Sequence, residues 1–212
     1  MLYKNRIMKL HALIQLAIGL FLFAAPLGAK EGLKPLSAEE TKRATQEIEN
    51  AAKGLKSLSC TFTQEKRLKL MQKSLISKGT LLYQAPSFLR WEYKEPYSYI
   101  FEIKENIVTT IYKNKVTRID ATKNSLFREI VKVMLESVTG ECISGSGSFS
   151  STLFTNVNGE ITAHLIPTRR ELKQVFRELY ITFDKKEHLP LEVVMMEEGG
   201  DTTTITLKKN LL

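Results

Sequence analysis

Between Lys78 and Glu102, apolar and aromatic side chains fall on every second position: Leu81 and Tyr83, then Leu89, Trp91 and Tyr93, then Tyr97, Tyr99 and Phe101. Pro86 and Pro96 separate the runs. A period of two belongs to a strand with one apolar face and one wet face, and prolines between such runs mark tight turns. The stretch therefore predicts three successive antiparallel strands. It holds the single Trp of the chain and four of its seven Tyr residues. Its apolar face is thus bulky and aromatic, and needs something large laid against it.

The same period starts upstream, with Leu58, Cys60 and Phe62 on one side and Ser59, Thr61 and Thr63 on the other. Lys66 to Lys73 is expected to be a charged hairpin connection into a strand over Leu75 to Tyr83. Downstream, Phe101 to Ile111 continues the pattern through a Glu105-Asn106 turn, and Val116 to Ile119 adds a short strand. Thr139 to Thr152 is rich in Gly and Ser and is expected to be a loop. Strands return at Ile161 to Ile166, Val175 to Phe183, Leu191 to Glu197 and Thr202 to Leu207, with Gly199-Gly200 as a hairpin signal before the last. About nine to eleven short strands at this spacing predict a curled antiparallel sheet.

Two segments break to a helical period. Ser37 stands as an N-cap ahead of Glu39 and Glu40, and Ala44, Ile48, Ala51, Ala52 and Leu55 follow at helical spacing. From Lys123 to Val138, apolar residues cover well over half of a helical wheel. A surface helix carries a narrower stripe, so this second helix is expected to be covered on most sides and is the natural lid for the aromatic sheet.

The N-terminus is of a different kind. Lys4, Arg6 and Lys9 precede an apolar run from Leu10 to Ala25 and then Pro26-Leu27-Gly28-Ala29. This is the build of a secretory signal peptide over residues 1–29, and the run is short for a membrane-spanning helix, which needs about 20 apolar residues. The expected product is one exported, soluble domain over 30–212, because no cysteine follows the apolar run to take a lipid anchor. Losing the three leader cations lowers the formal charge from +8 to +5. That charge is spread along the chain without a basic and aromatic footprint for nucleic acid.

Signals for chemistry are sparse. His164 and His188 are far apart, and Cys60 and Cys142 lack Cys-x-x-Cys spacing, so neither a metal site nor a cofactor is expected. Two cysteines in an exported chain leave a disulfide open. Gly145-Ser146-Gly147 lacks the end of a phosphate-binding loop, and no nucleophile elbow is present, so no catalytic residues are assigned and no enzyme is expected. His188 reads as an exposed turn residue and His164 as lying on the wetter face of its strand. What remains is the apolar face, which either fills an ordinary core or lines a lumen left by a curled sheet.

Phe62-Thr63-Gln64, the run to Pro86, Leu89-Arg90-Trp91-Glu92-Tyr93 and Pro96 resemble the periplasmic outer-membrane lipoprotein carriers, the LolA family. The likeness continues through Leu165-Ile166-Pro167, Ile181-Thr182-Phe183-Asp184, Leu189-Pro190 and Gly200-Asp201. It implies a mainly β fold with α, an incomplete, half-open antiparallel β-barrel with a helical lid. The implied function is a monomeric carrier that takes the acyl chains of lipoproteins from an inner-membrane ABC exporter to an outer-membrane receptor lipoprotein. Alternatives are a half-barrel module for another acyl or glycolipid cargo, or an envelope lipid sensor. Candidate cavity residues are Phe62, Leu81, Tyr83, Leu89, Trp91, Phe101 and Met195, and candidate lid residues are Phe127, Ile130, Val131 and Met134. The family's basic residue before the proline of the second-strand turn is Ala85 here, and Arg90 is expected to face outward.

Overall fold

A computed structural model describes residues 32–69, 74–143 and 147–210. The expected signal peptide lies outside them. The chain enters through a two-residue strand, β1 (Lys34–Pro35), and turns into helix α1 (Ala38–Gly54). Ser37 caps this helix reciprocally: its hydroxyl accepts from the Glu40 N–H at 3.3 Å, and its own N–H donates to the Glu40 carboxylate at 2.8 Å. Donors that the first turn would leave bare are thereby satisfied. Ala44, Ile48 and Ala52 form its buried stripe.

An antiparallel meander follows: β2 (Ser57–Arg67), β3 (Ser74–Gln84), β4 (Phe88–Glu95), β5 (Tyr99–Lys104), β6 (Ile107–Tyr112) and β7 (Lys115–Asp120). A 3-10 turn leads into helix α2 (Ser125–Thr139). Beyond a second 3-10 turn, Glu141–Ile143, come β8 (Phe149–Thr155), β9 (Ile161–Pro167), the one-turn helix α3 (Arg170–Lys173), β10 (Phe176–Phe183), β11 (Pro190–Glu197) and β12 (Thr202–Lys209).

The described strands form one sheet in the order β1-β8-β9-β10-β11-β12-β2-β3-β4-β5-β6-β7. The last strand returns to pair with the first long one, β12 with β2, so the two meanders share a single surface. Its two ends, β1 and β7, do not pair with each other, which leaves the barrel open. The fold is mainly β with helices, an incomplete antiparallel barrel.

The alternation read in the sequence becomes rows of side chains across this sheet. Leu58, Tyr83, Leu89, Ile103 and Val108 are cross-strand partners in one row, and Cys60, Leu81, Trp91 and Phe101 in the next. In the third row Gly79 separates Phe62 from Tyr93. Having no side chain of its own, it lets those rings meet edge-on with centroids 5.0 Å apart. A Cβ on Gly79 would lie 1.9 Å from the Glu92 carbonyl oxygen and 2.8 Å from the Phe62 ring.

Several expectations are corrected. Lys66 and Arg67 are not hairpin connection: β2 runs through both, because Lys66 continues the inward parity of Phe62 and Gln64. Tyr97 does not join the inward run of β5, which begins at Tyr99, and is 70% exposed in the turn. The expected loop over Thr139 to Thr152 instead ends in β8, whose polar stretch Ser150 to Thr152 hides the alternation. With β1, this strand raises the described total to twelve. α3 is too short to carry a helical period.

Candidate functional site: an apolar cavity under α2

Helix α2 lies against the concave face of the sheet. Asn124 starts it, its side-chain oxygen accepting from the Phe127 N–H at 3.1 Å. Gly140 stops it in the left-handed region, with φ +89° and its N–H donating to the Glu136 carbonyl. A Cβ at Gly140 would meet Ile48 of α1 at 2.8 Å and the Phe183 ring of β10 at 2.9 Å. The C-terminal end of α2 is therefore wedged between α1 and the sheet, and only glycine fits there.

Between α2 and the sheet lies a cavity of about 110 Å³. From the helix, Phe127, Ile130, Val131 and Met134 line it. Trp91, Phe101, Val108 and Ile119 form the wall on the β4 to β7 side, and Leu179, Val193, Met195 and Ile205 the wall on the β10 to β12 side. The polar lining is Gln64, Tyr93, Thr110 and Ser137. Two of these satisfy each other, since the Tyr93 hydroxyl donates to Gln64 Oε1 at 2.9 Å.

Among the described residues no charged side chain lines the cavity. Burial pushes the Tyr93 phenol well above its ordinary pKa and that of neighbouring Tyr99 up to about 12, so both rings stay neutral at physiological pH. The nearest charges on the concave face of β2 sit one row beyond Gln64. There the Lys66 ammonium, buried to 3% exposure, donates to Glu197 at 2.7 Å and lies 3.8 Å from Asp201. Burial raises the Glu197 pKa against the opposing pull of Lys66. This buried ion pair was missed in the sequence, although the period-two parity of Phe62, Gln64 and Lys66 points to it.

The structure divides the expected cavity residues. Trp91, Phe101 and Met195 are brought together on the wall, as are all four candidate lid residues. Phe62, Leu81, Tyr83 and Leu89 are buried on the same concave face but belong to the packed core beside the cavity. Phe62 touches the wall indirectly, its ring 5.3 Å from that of Trp91. Ile119, Leu179 and Ile205 were not anticipated, since only the order of strands in the sheet brings them to the cavity.

Outside the cavity, Arg90 faces away from the core and pairs with Glu102 at 2.9 Å and Glu92 at 3.4 Å. Ala85 contributes only its backbone, the N–H donating to the Lys56 carbonyl at 2.9 Å. Cys60 and Cys142 are buried free thiols. Burial raises the Cys60 pKa to about 11 and that of Cys142 further, so neither is a thiolate nucleophile. His164 is on the outer face, stacked on Tyr180 at 4.4 Å and 2.7 Å from the Glu178 carboxylate. His188 is half-buried in its turn, not exposed, at φ +54°. Among the described residues no group of His, Cys, Asp and Glu is arranged to hold a metal ion, and no helix is long and apolar enough to cross a membrane.

The sequence model of the outer membrane lipoprotein carrier protein LolA matches residues 53–211. The chain belongs to the LolA family. The match starts at the end of α1 and takes in every strand from β2 to β12 together with α2. No curated protein matches this LolA-family chain. Among solved structures it is similar to the lipoprotein LppX of Mycobacterium tuberculosis, at 10% identity over 83% of this chain and 98% of that one, with a TM-score of 0.45. It is also similar to a LolA superfamily protein from Nitrosomonas europaea, at 9% identity over 78% and 91%, with a TM-score of 0.41. A third likeness is to MucB in the Pseudomonas aeruginosa MucA/MucB complex, at 12% identity over 81% and 58%, with a TM-score of 0.36. The assignment rests on the family match, not on these distant likenesses.

Proposed function

We propose that this LolA-family protein is a periplasmic carrier that shields the acyl chains of lipoproteins during transfer from the inner to the outer membrane. It would load from a lipoprotein-releasing ABC exporter and unload to a receptor lipoprotein, after export on the signal peptide at 1–29. The observation that carries this reading is the cavity itself, walled by hydrocarbon and rings and free of charge, between an open sheet and a single covering helix. Each buried CH₂ is worth about 0.8 kcal/mol, so a lipoprotein anchor crosses water only if its chains are enclosed. The work is enclosure and release, with no bond made or broken.

At about 110 Å³ the cavity is well below the roughly 300–1,000 Å³ of ordinary ligand pockets. It is the closed form of the site. A full acyl chain enters only as α2 moves off the sheet, exchanging the contacts of Phe127, Val131 and Met134 for contacts with cargo. Methionine suits such exchange because its side chain is flexible and apolar.

Mass spectrometry of an organic extract of the protein purified from its host tests the proposal. Acylated lipoprotein in the extract supports it. A lipid of another class would move the reading to a different acyl or glycolipid cargo, and turnover of an added ester would replace carriage with catalysis.

A further inference from the structure

Trp91 is the only tryptophan in the chain and stands in the cavity wall. Its indole nitrogen is buried and has no hydrogen-bond partner among the described residues. Its surroundings explain why. Leu81 and Phe101 flank it across the sheet, and the Phe62 ring meets it edge-on. Phe127 and Val131 face the same cavity from α2. None of these side chains carries an acceptor. Gln64 Oε1, the amide oxygen in the lining, accepts from the Tyr93 hydroxyl and not from the indole.

An indole N–H can only donate, and buried donors nearly always find an acceptor. These apolar neighbours offer a water at the indole few of the two to four polar partners it needs. A ligand that carries an acceptor would satisfy this donor.

We propose that the Trp91 Nε1–H donates to a carbonyl oxygen of the bound acyl group, so that the site prefers acyl esters and amides to bare hydrocarbon. This rests on the acyl-carrier reading and narrows its ligand class. The apolar wall gives affinity for any chain. The indole adds a preference, because a ligand carrying a carbonyl satisfies a donor that an alkane leaves unpaired. Trp91 is in this sense a specificity-determining residue, and the acyl carbonyl would come to rest between β4 and α2.

Methyl palmitate and octadecane, delivered from cyclodextrin, are the probes. They are similar in length and differ in the carbonyl. Binding to the wild-type protein is measured by calorimetry, and the indole N–H resonance, which comes from one residue, by NMR. The expected result is a preference for the ester of about tenfold, the worth of one hydrogen bond to a buried donor. A downfield move of the indole proton with the ester only should accompany it, and Trp91→Phe should erase the preference. Equal binding of the two probes, an indole resonance indifferent to the carbonyl, or a preference that survives in Trp91→Phe overturns the proposal. If Trp91→Phe does not fold, the wild-type comparison still decides it. Binding of neither probe would remove the acyl-carrier reading itself, a failure distinct from equal binding of both.

Discussion

Gly79 and Lys66 are the residues on which the concave face turns. Gly79 is where two aromatic rings and a neighbouring backbone converge, and an added methyl there would overlap the Glu92 carbonyl, which has little room to move. Gly79→Ala should cost at least about 1–3 kcal/mol, the usual penalty of overpacking, read as a lower urea midpoint with an unchanged slope. Lys66 is a buried cation facing two carboxylates. Lys66→Ala leaves Glu197 buried and uncompensated, which should cost about 3–5 kcal/mol at pH 7. The sign of the pH effect follows from the raised Glu197 pKa. A carboxyl whose folded pKa exceeds its unfolded value favours the folded state most below the unfolded value, and that advantage is lost as pH rises through the folded one. Removing Lys66 takes away the pull that opposes the rise, so the deficit of Lys66→Ala should shrink as pH falls toward 4. A deficit in urea melts that is independent of pH between 4 and 7 would contradict this account of the pair.

Among the elements, α2 is the one whose packing was plainest in its sequence. Its apolar residues at 126, 127, 130, 131, 133, 134, 135 and 138 are too many for a surface stripe, and the structure lays 127, 130, 131, 134 and 138 against the cavity under the sheet. The strands from β2 to β7 and from β9 to β12 were likewise legible, because one buried face enforces a period of two. The unreadable elements failed for physical reasons. β1 has two residues and α3 one turn, and in β8 the three polar residues between Phe149 and Leu153 erase the alternation. Val131→Asp tests α2 as a separable cover. It forfeits about 1.5–3 kcal/mol of apolar burial and sets a carboxylate against the cavity. Binding of methyl palmitate should be lost while the strand signal in circular dichroism persists. Loss of both together would make α2 part of an indivisible core.

At the scale of the whole molecule, the parity of side chains could be read from the chain, but the hollow could not. Phe62, Leu81, Tyr83 and Leu89 share a face with Trp91 and Phe101, yet pack solidly beside the cavity instead of lining it. Which residues border empty space depends on the order of strands in the sheet, and above all on β12 returning to β2, a pairing between distant segments. That return places Met195 and Ile205 within the same cavity as Trp91 and Phe101. On the proposed carrier function, a cavity of about 110 Å³ is too small for a full acyl chain, so loading would require α2 to move off the sheet. Photo-crosslinking with a triacylated lipopeptide that carries a diazirine along an acyl chain, mapped by peptide mass spectrometry, tests this most directly. The account predicts adducts on Trp91, Phe101, Met195 and the inner face of α2; adducts confined to the outer face around His164 and Tyr180, with none in the cavity, would contradict it.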